Sequence, residues 1–506
     1  MKPISSNLLS RSTPEKQGMN SEVILAFIDS LEKTKFAIHS FMLLRHDQVI
    51  AESWWRPYDP ACKRYVYSLT KSFTSTAVGF AVTEGLLKVE DKVVSFFSED
   101  LPREVSENLA AMQVRDLLTM STGHGMDSTL AIMTPGLENW VQTILAFPVD
   151  YAPGTHFLYN SGATYLLSAI VQKVSGQCVK DYLSNRLFEP LGIRNVTWDV
   201  CPRGINIGGW GLSLTTEEIA RFGLFYLHKG VWNGKRLLPS EWIEVATSAC
   251  VRNDGEDRVN ETLDWRQGYG YQFWRCQHGA YRADGASGQY CVVMPEQDAV
   301  LALTSETQNM QGILDLFWKH ILLNMKDAPI LGGDKAQKSL QRKLSSLEII
   351  VPPAHPNPES VTRISDKLFK MNENEKGILS VSFSFASASN CFHLTNGQGE
   401  HQIVCGNGRW IKNEAMIPFM LPSMMNQLLN RKIVNPVKVA AWGTWKDPQT
   451  YVMIWQYLET PHSDTVTCRF QGDEIHLDSV SSLYEPNNPL LVGKENSYAG
   501  ALLKEG

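Results

Sequence analysis

YSLTKSFTST, residues 67–76, sets a lysine three positions after a serine just where an apolar periodicity begins. Leu69, Phe73, Ala77 and Phe80 recur at about one helical turn, and Gly85 offers a stop, so the spacing predicts a helix. Positions i and i+3 of a helix share a face, which puts Ser68 beside Lys71 in the first turn. The positive end of the helix dipole disfavours a second positive charge there, and burial adds to that. A lysine so placed can lose its proton and serve as a base for the serine hydroxyl, a weak nucleophile until its proton is taken. The same helix end leaves backbone N–H groups free to hold an oxyanion. A lone SxxK is common, and its bland alternative is a capping serine beside a solvated lysine. Two motifs further along the chain decide between them.

About ninety residues downstream, FLYNSGATYLL (157–167) sets Tyr159, Asn160 and Ser161 just before a second helix pattern. A phenol there can relay a proton, and an amide or hydroxyl beside it can hold Lys71 or substrate. A third element, YRADGASGQY (281–290), places Asp284, Gly285 and Ala286 ahead of a strand. Glycines beside a strand let another group approach the backbone closely.

Around these motifs, FMLLRHDQVIAE (41–52) reads as two strands about a turn at His46–Asp47, and GQYCVVMPEQDAVLALTS (288–305) as strand, turn, strand. Helix patterns cover 161–176, 215–230, with a Thr215/Glu218 capping box, and 310–323. Strands at both ends with a helical middle predict an α+β domain, an antiparallel sheet flanked by helices plus a helical subdomain, over residues 1–325. Residues 326–375, with GGDKAQKSLQRK and VPPAHPNPES, read as a linker. Over 376–506, ILSVSFSF puts Leu379, Val381, Phe383 and Phe385 on one face, and TYVMIWQYLE does the same with Tyr451, Met453, Trp455 and Tyr457. TVTCRFQGDEIHLDSV looks like a hairpin around Gly472, so this part is expected to be a small all-β sandwich or barrel.

The chain of 506 residues is 43% apolar and 20% charged with a net charge of −6, a composition of globular proteins that argues against a nucleic-acid partner. No run approaches the roughly 18 apolar residues of a membrane span, and MKPISSNLLSRSTPEKQGMN lacks the apolar core of a leader, so a cytoplasmic protein is expected. Nine scattered cysteines without a CxxC pair read as buried small residues, and with no HExxH neither a metal nor another cofactor is expected.

The order SxxK, then Tyr159-Asn160-Ser161 before a helix, then a glycine motif on a late strand resembles the serine β-lactamase/penicillin-recognising superfamily, over about residues 10–325. The likeness is to its class C branch of esterases, D-stereospecific aminopeptidases and 6-aminohexanoate-oligomer hydrolases. VRDLLTMSTG (114–123), GGWGLSLTTEEIARFG (208–223) and WNGKRLLPSEW (232–242) support it. The resemblance implies a β-lactamase/transpeptidase-like fold, Ser68 as acylated nucleophile, Lys71 as general base and Tyr159 as acid/base partner. It implies an oxyanion hole from the Ser68 N–H and one near Ala286. Two motifs depart from the pattern. Ser161 stands where the family has asparagine, which leaves open whether Asn160 or Ser161 faces the site. Ala283-Asp284-Gly285 replaces a Lys- or His-x-Gly, so the cation that attracts a substrate carboxylate is gone and a neutral or cationic ester or amide is favoured over a β-lactam. The expected activity is ester or amide hydrolysis of a small molecule, carboxylesterase-like first, with an amidase, D-aminopeptidase or β-lactamase as alternatives. A binding or scaffold protein that keeps the fold without turnover is the rival, and a homo-oligomer stays open.

Other side chains read more blandly. His124, His156 and His278 lack ligand partners at suitable spacing. Trp54, Trp55 and Trp210 read as core residues, and Arg275 and Arg282 as solvated. Asp284 is divided between a pocket charge and a turn residue.

Overall fold

The computed structural model describes residues 9–34, 36–134, 136–255, 262–331, 333–374, 376–397, 399–416, 436–483 and 496–503. Residues 1–8, part of the N-terminal stretch that lacks a leader's apolar core, lie outside the described residues. The chain divides into two compact units, residues 1–54 with 63–347, and residues 55–62 with 348–506.

The first unit is built on a seven-stranded sheet. Its order is Ser10–Arg11, Gln48–Trp54, Ala37–Arg45, Ala299–Glu306, Gln289–Met294, Tyr281–Gly285, Trp274–Arg275, antiparallel except for the first pair. His46 and Asp47 both have positive φ (46° and 63°), as a two-residue hairpin turn requires, so the expected strand pair forms around them. Helices Ser21–Glu32, Met310–His320 and Asp334–Ser346 pack together, while Thr216–Leu227 packs on the central strands. That last helix opens with the predicted capping box of Thr215 and Glu218.

Helix Thr70–Thr83 is buried on every side from Thr70 to Ala81, not along one stripe. The hydroxyls of Ser72, Thr74 and Thr76 make this tolerable by finding backbone acceptors. Ser72 donates to the Gln272 carbonyl at 2.7 Å and Thr74 to the Gly208 carbonyl at 2.9 Å. On the apolar side Phe73 stacks on Phe222 with ring centres 3.9 Å apart.

Gln272 ties this helix to its neighbours. Its φ is +65°, and its amide donates to the Leu117 and Leu118 carbonyls while accepting from Thr164. Gln272→Ala strands these buried groups and is expected to destabilise the unit by about 3 kcal/mol, read as a lower urea midpoint.

The stretch expected to be a linker holds more structure than its polar composition suggested. Helix Asp334–Ser346 belongs to the first unit and buries Leu340, and the unit ends at Leu347. Strand Leu368–Met371 already belongs to the second unit.

The second unit is a barrel. Nine strands, Leu368–Met371, Ile378–Phe385, Ser389–Asn396, Gly399–Asn407, Val437–Asp447, Thr450–Tyr457, Ser463–Gln471, Glu474–Ser481 and Asn496–Leu502, form one ring of pairings. The ring closes where Gly406 and Asn407 run parallel to Trp442 and Gly443. A short extra strand, Ile411–Ala415, lies along Val437–Ala441. Tyr451, Met453, Trp455 and Tyr457 all point into the core, as their alternation predicts. Leu379 does not: a register shift between Ile378 and Ser380 puts Ile378 inside and leaves Leu379 56% exposed. Gln456 donates to the Tyr58 hydroxyl at 2.6 Å, and Lys412 pairs with Asp59, which holds the 55–62 segment within this unit.

Candidate active site

Ser68 sits on a single 3-10 turn, Tyr67–Leu69, that runs into helix Thr70–Thr83. Tyr67 carries a φ of +47°, an uncommon conformation for an aromatic residue and one that the packed surroundings must hold. Strand Tyr281–Gly285 runs against this turn. A Cβ at Gly285 would lie 2.1 Å from the Val66 carbonyl oxygen and 3.1 Å from Tyr67 Cβ, so only glycine permits the approach.

Lys71 is 1% exposed. Its Nζ lies 2.9 Å from each of three oxygens: Ser68 Oγ, Ser161 Oγ and the Gly209 carbonyl. Burial pulls its ionisation down to about 7, with Asp127 and Asp284 pulling the other way. The Tyr159 ring lies beside it, 4.8 Å from Nζ to the ring centre, and Ser68 acts on the ionisation of its phenol. Burial, and then the Asp284 carboxylate, hold that phenol protonated well above its ordinary range. Tyr159 stacks on Trp274 with centres 5.3 Å apart.

Ser161 faces Lys71 and Asn160 does not. Asn160 is the cap of helix Ser161–Ser175: its Oδ1 accepts from the Gly162 and Ala163 N–H groups and from Ser128 Oγ. Its Nδ2 lies 3.3 Å from His124 Nδ1. The short serine thus reaches the lysine because the asparagine before it is committed to the helix end.

Asp284 lies on the strand, 6% exposed, and Ala286 is exposed in the adjoining turn. Arg282, expected to be solvated, has no exposed surface, and its Nε donates to Asp284 Oδ2 at 2.8 Å. Alternation along a strand puts residues two apart on the same face, and that was the signal available for this pair. Gly209 and Asp127 were also missed; Asp127 Oδ1 accepts from the Ser161 N–H at 3.2 Å.

His124 is buried in its loop against Thr122, and burial lowers its ionisation to about 4. His156 packs on Tyr151 and His278 on Trp318. Among the described residues no cluster of three His, Cys, Asp or Glu is placed to hold a metal, and no helix is long and apolar enough to cross a membrane.

The Beta-lactamase family model matches residues 28–318. The 6-aminohexanoate-dimer hydrolase of Paenarthrobacter ureafaciens is 25% identical over 326 residues, 60% of this chain and 83% of that one. Penicillin-binding protein 4 of Amycolatopsis lactamdurans is 25% identical over 341 residues, 59% and 82% of the two chains. The solved structure of the octameric penicillin-binding protein homologue from Pyrococcus abyssi covers 90% of this chain and 97% of its own, with a TM-score of 0.48 and 16% identity. A match over more than half its length, spanning the strand pair, the buried-lysine helix and the glycine strand, means that this chain belongs to the Beta-lactamase family, its β-lactamase/transpeptidase-like unit being followed by the β-barrel described above.

Proposed function

We propose that the chain is a serine hydrolase that cleaves a neutral carboxylic ester through an acyl-enzyme on Ser68, with Lys71 as general base. The observation that carries this reading is the hydrogen-bond count at Lys71. An uncharged amine has two N–H donors and one lone pair. The Gly209 carbonyl can only accept, so the two serine hydroxyls, each 2.9 Å away, share the second N–H and the lone pair, and the lone pair can take the Ser68 proton while Ser161 accepts.

Ser68 Oγ attacks the carbonyl carbon as its proton passes to Lys71 Nζ. The tetrahedral oxyanion is received by the Ser68 N–H and the N–H near Ala286. The proton then travels through the Tyr159 phenol to the leaving group. Water, deprotonated by the same amine, clears the acyl group and restores Ser68. Asp284 is balanced by Arg282, so the third motif offers no net charge to a substrate carboxylate, which supports a neutral substrate.

The amide reading rests on the 6-aminohexanoate-dimer hydrolase, whose name denotes cleavage of an amide. Parallel assays with short p-nitrophenyl esters and D-amino-acid amides separate the two. The decisive experiment is labelling with a fluorophosphonate and peptide mass spectrometry. The label is expected on the peptide holding Ser68, with p-nitrophenyl acetate kcat/KM rising with pH to a plateau above about 7. Label on another residue, or none alongside turnover at background, favours a scaffold without catalysis.

A further inference from the structure

Ser161 stands where the family has asparagine, and its Oγ lies 2.9 Å from Lys71 Nζ. A serine hydroxyl is carried on one rotatable bond, so its place follows that of its own main chain. A longer amide side chain could reach across a small displacement; the serine cannot. Its contact with the lysine therefore depends on where the backbone of residue 161 is held.

One loop holds it. Asp127, the cap of the 3-10 helix Ser128–Met133, and Ser128 itself both grip the start of helix Ser161–Ser175. Asp127 Oδ1 accepts from the Ser161 N–H at 3.2 Å, a helix-end donor with no carbonyl to meet inside its own helix. Ser128 Oγ donates to Asn160 Oδ1 at 2.8 Å. A Cβ on Gly162 would lie 2.2 Å from Ser128 Oγ, so the loop seats closely only against a glycine. The carboxylate is itself braced: the same Oδ1 accepts from the Thr129 N–H at 2.9 Å and from the Thr129 hydroxyl at 2.6 Å. From Asp127 the line of contact runs through the Ser161 main chain and hydroxyl to Lys71 Nζ, which lies 2.9 Å from Ser68 Oγ. The other neighbours of the amine, the Gly209 carbonyl and the Tyr159 ring, come from other segments.

We propose that Asp127 is a positioning residue for the acyl transfer: by holding the Ser161 N–H it keeps the Ser161 hydroxyl against Lys71, so that the amine is fixed between three oxygens with Ser68 in reach. This rests on the assignment of Ser68 and Lys71 as nucleophile and base, and deepens it by giving the altered second motif a task.

The test uses full-length Asp127→Ala and Asp127→Asn, each with Ser161 and with Ser161→Ala. Both substitutions at 127 remove the negative charge. Asparagine keeps an oxygen where the three donors meet and alanine does not, so the difference between the two isolates the hydrogen bond from the charge. One readout is kcat and KM for p-nitrophenyl acetate on the alkaline plateau. The other is acetylation of Lys71 by trace acetic anhydride at mildly acidic pH, quantified by peptide mass spectrometry, which reports the uncharged amine without any turnover.

With Ser161 present, Asp127→Ala is expected to lower kcat about tenfold with little change in KM, and Asp127→Asn to recover most of that loss. An ammonium loses more than an amine when an acceptor withdraws, so Lys71 is also acetylated about threefold faster in Asp127→Ala than in Asp127→Asn. With Ser161→Ala in place both differences disappear, because the hydroxyl that Asp127 positions is gone. A difference that persists without Ser161 overturns the proposal, as does a lowered melting temperature with equal kcat and equal labelling. Should Asp127→Ala not fold, Asp127→Ser takes its place: its hydroxyl still caps Thr129 but is too short for the Ser161 N–H. A chain that hydrolyses nothing yet shows the labelling difference, present with Ser161 and absent without it, sinks the hydrolase reading and leaves the fastening of Lys71 standing. A chain that turns over but shows neither difference sinks the fastening alone.

Discussion

Lys71→Met is expected to lower kcat/KM for p-nitrophenyl esters by at least about 10⁴-fold and yet to make the chain harder to unfold at neutral pH. The loss comes from removing the base 2.9 Å from Ser68 Oγ, with no other amine among its described hydrogen-bond partners. The gain comes from linkage. The folded chain holds the Lys71 proton with an affinity near pH 7, against an ordinary value of 10.5. Between those values the unfolded chain binds more protons than the folded one, so wild-type stability rises with pH. Burial of Lys71 therefore opposes folding most at and below about pH 7 and ceases to do so above 10.5. Methionine carries no such penalty, so its advantage is largest at neutral pH and shrinks in alkali. Urea denaturation of both proteins at the two pH values checks this. An equal gap at both would contradict a depressed lysine, and activity within tenfold of wild type would remove Lys71 from the chemistry.

Gly285→Ala is the second large effect, through the backbone alone. The new methyl group would sit 2.1 Å from the Val66 carbonyl oxygen, well inside contact distance, and that oxygen is main chain and cannot swing aside. Strand and turn must part. Overpacking of this kind costs about 1–3 kcal/mol. Ser68 is two residues beyond Val66, so the nucleophile moves with the turn. A misplacement of about 1 Å lowers turnover by about 100-fold, and that fall in kcat with a smaller change in melting temperature is the expected result. A variant that keeps wild-type kcat would mean that the strand does not set the position of Ser68.

How far the sequence could be read depends on whether a residue's surroundings are local. The Ser68–Lys71 pair, the His46–Asp47 turn and the Thr215 cap are set within a few positions, and periodicity finds them. Ser161 against Asn160 was beyond that reach, because the choice turns on a cap bond and on Ser128, far upstream. Arg282 was misjudged because charge usually means exposure; its partner two positions on, and the indole rings that enclose it, reverse the rule. Leu379 kept its alternation on paper and lost it to one bulge. Helix Asp334–Ser346 was hidden by its composition, since one buried leucine, Leu340, with Leu344 a turn further on, seats an otherwise polar segment.

The ring of nine strands bears on how the second unit behaves when crowded. An open sheet presents a raw margin of unpaired amides at either side, onto which a neighbour's strand can crystallise. Joining Gly406–Asn407 to Trp442–Gly443 covers the end of one such margin and shortens what stays open. Folded copies of this unit are therefore expected to template one another into fibrous assemblies less readily than an open sheet would, even though their strands are rich in the aromatic and branched residues that amyloid favours.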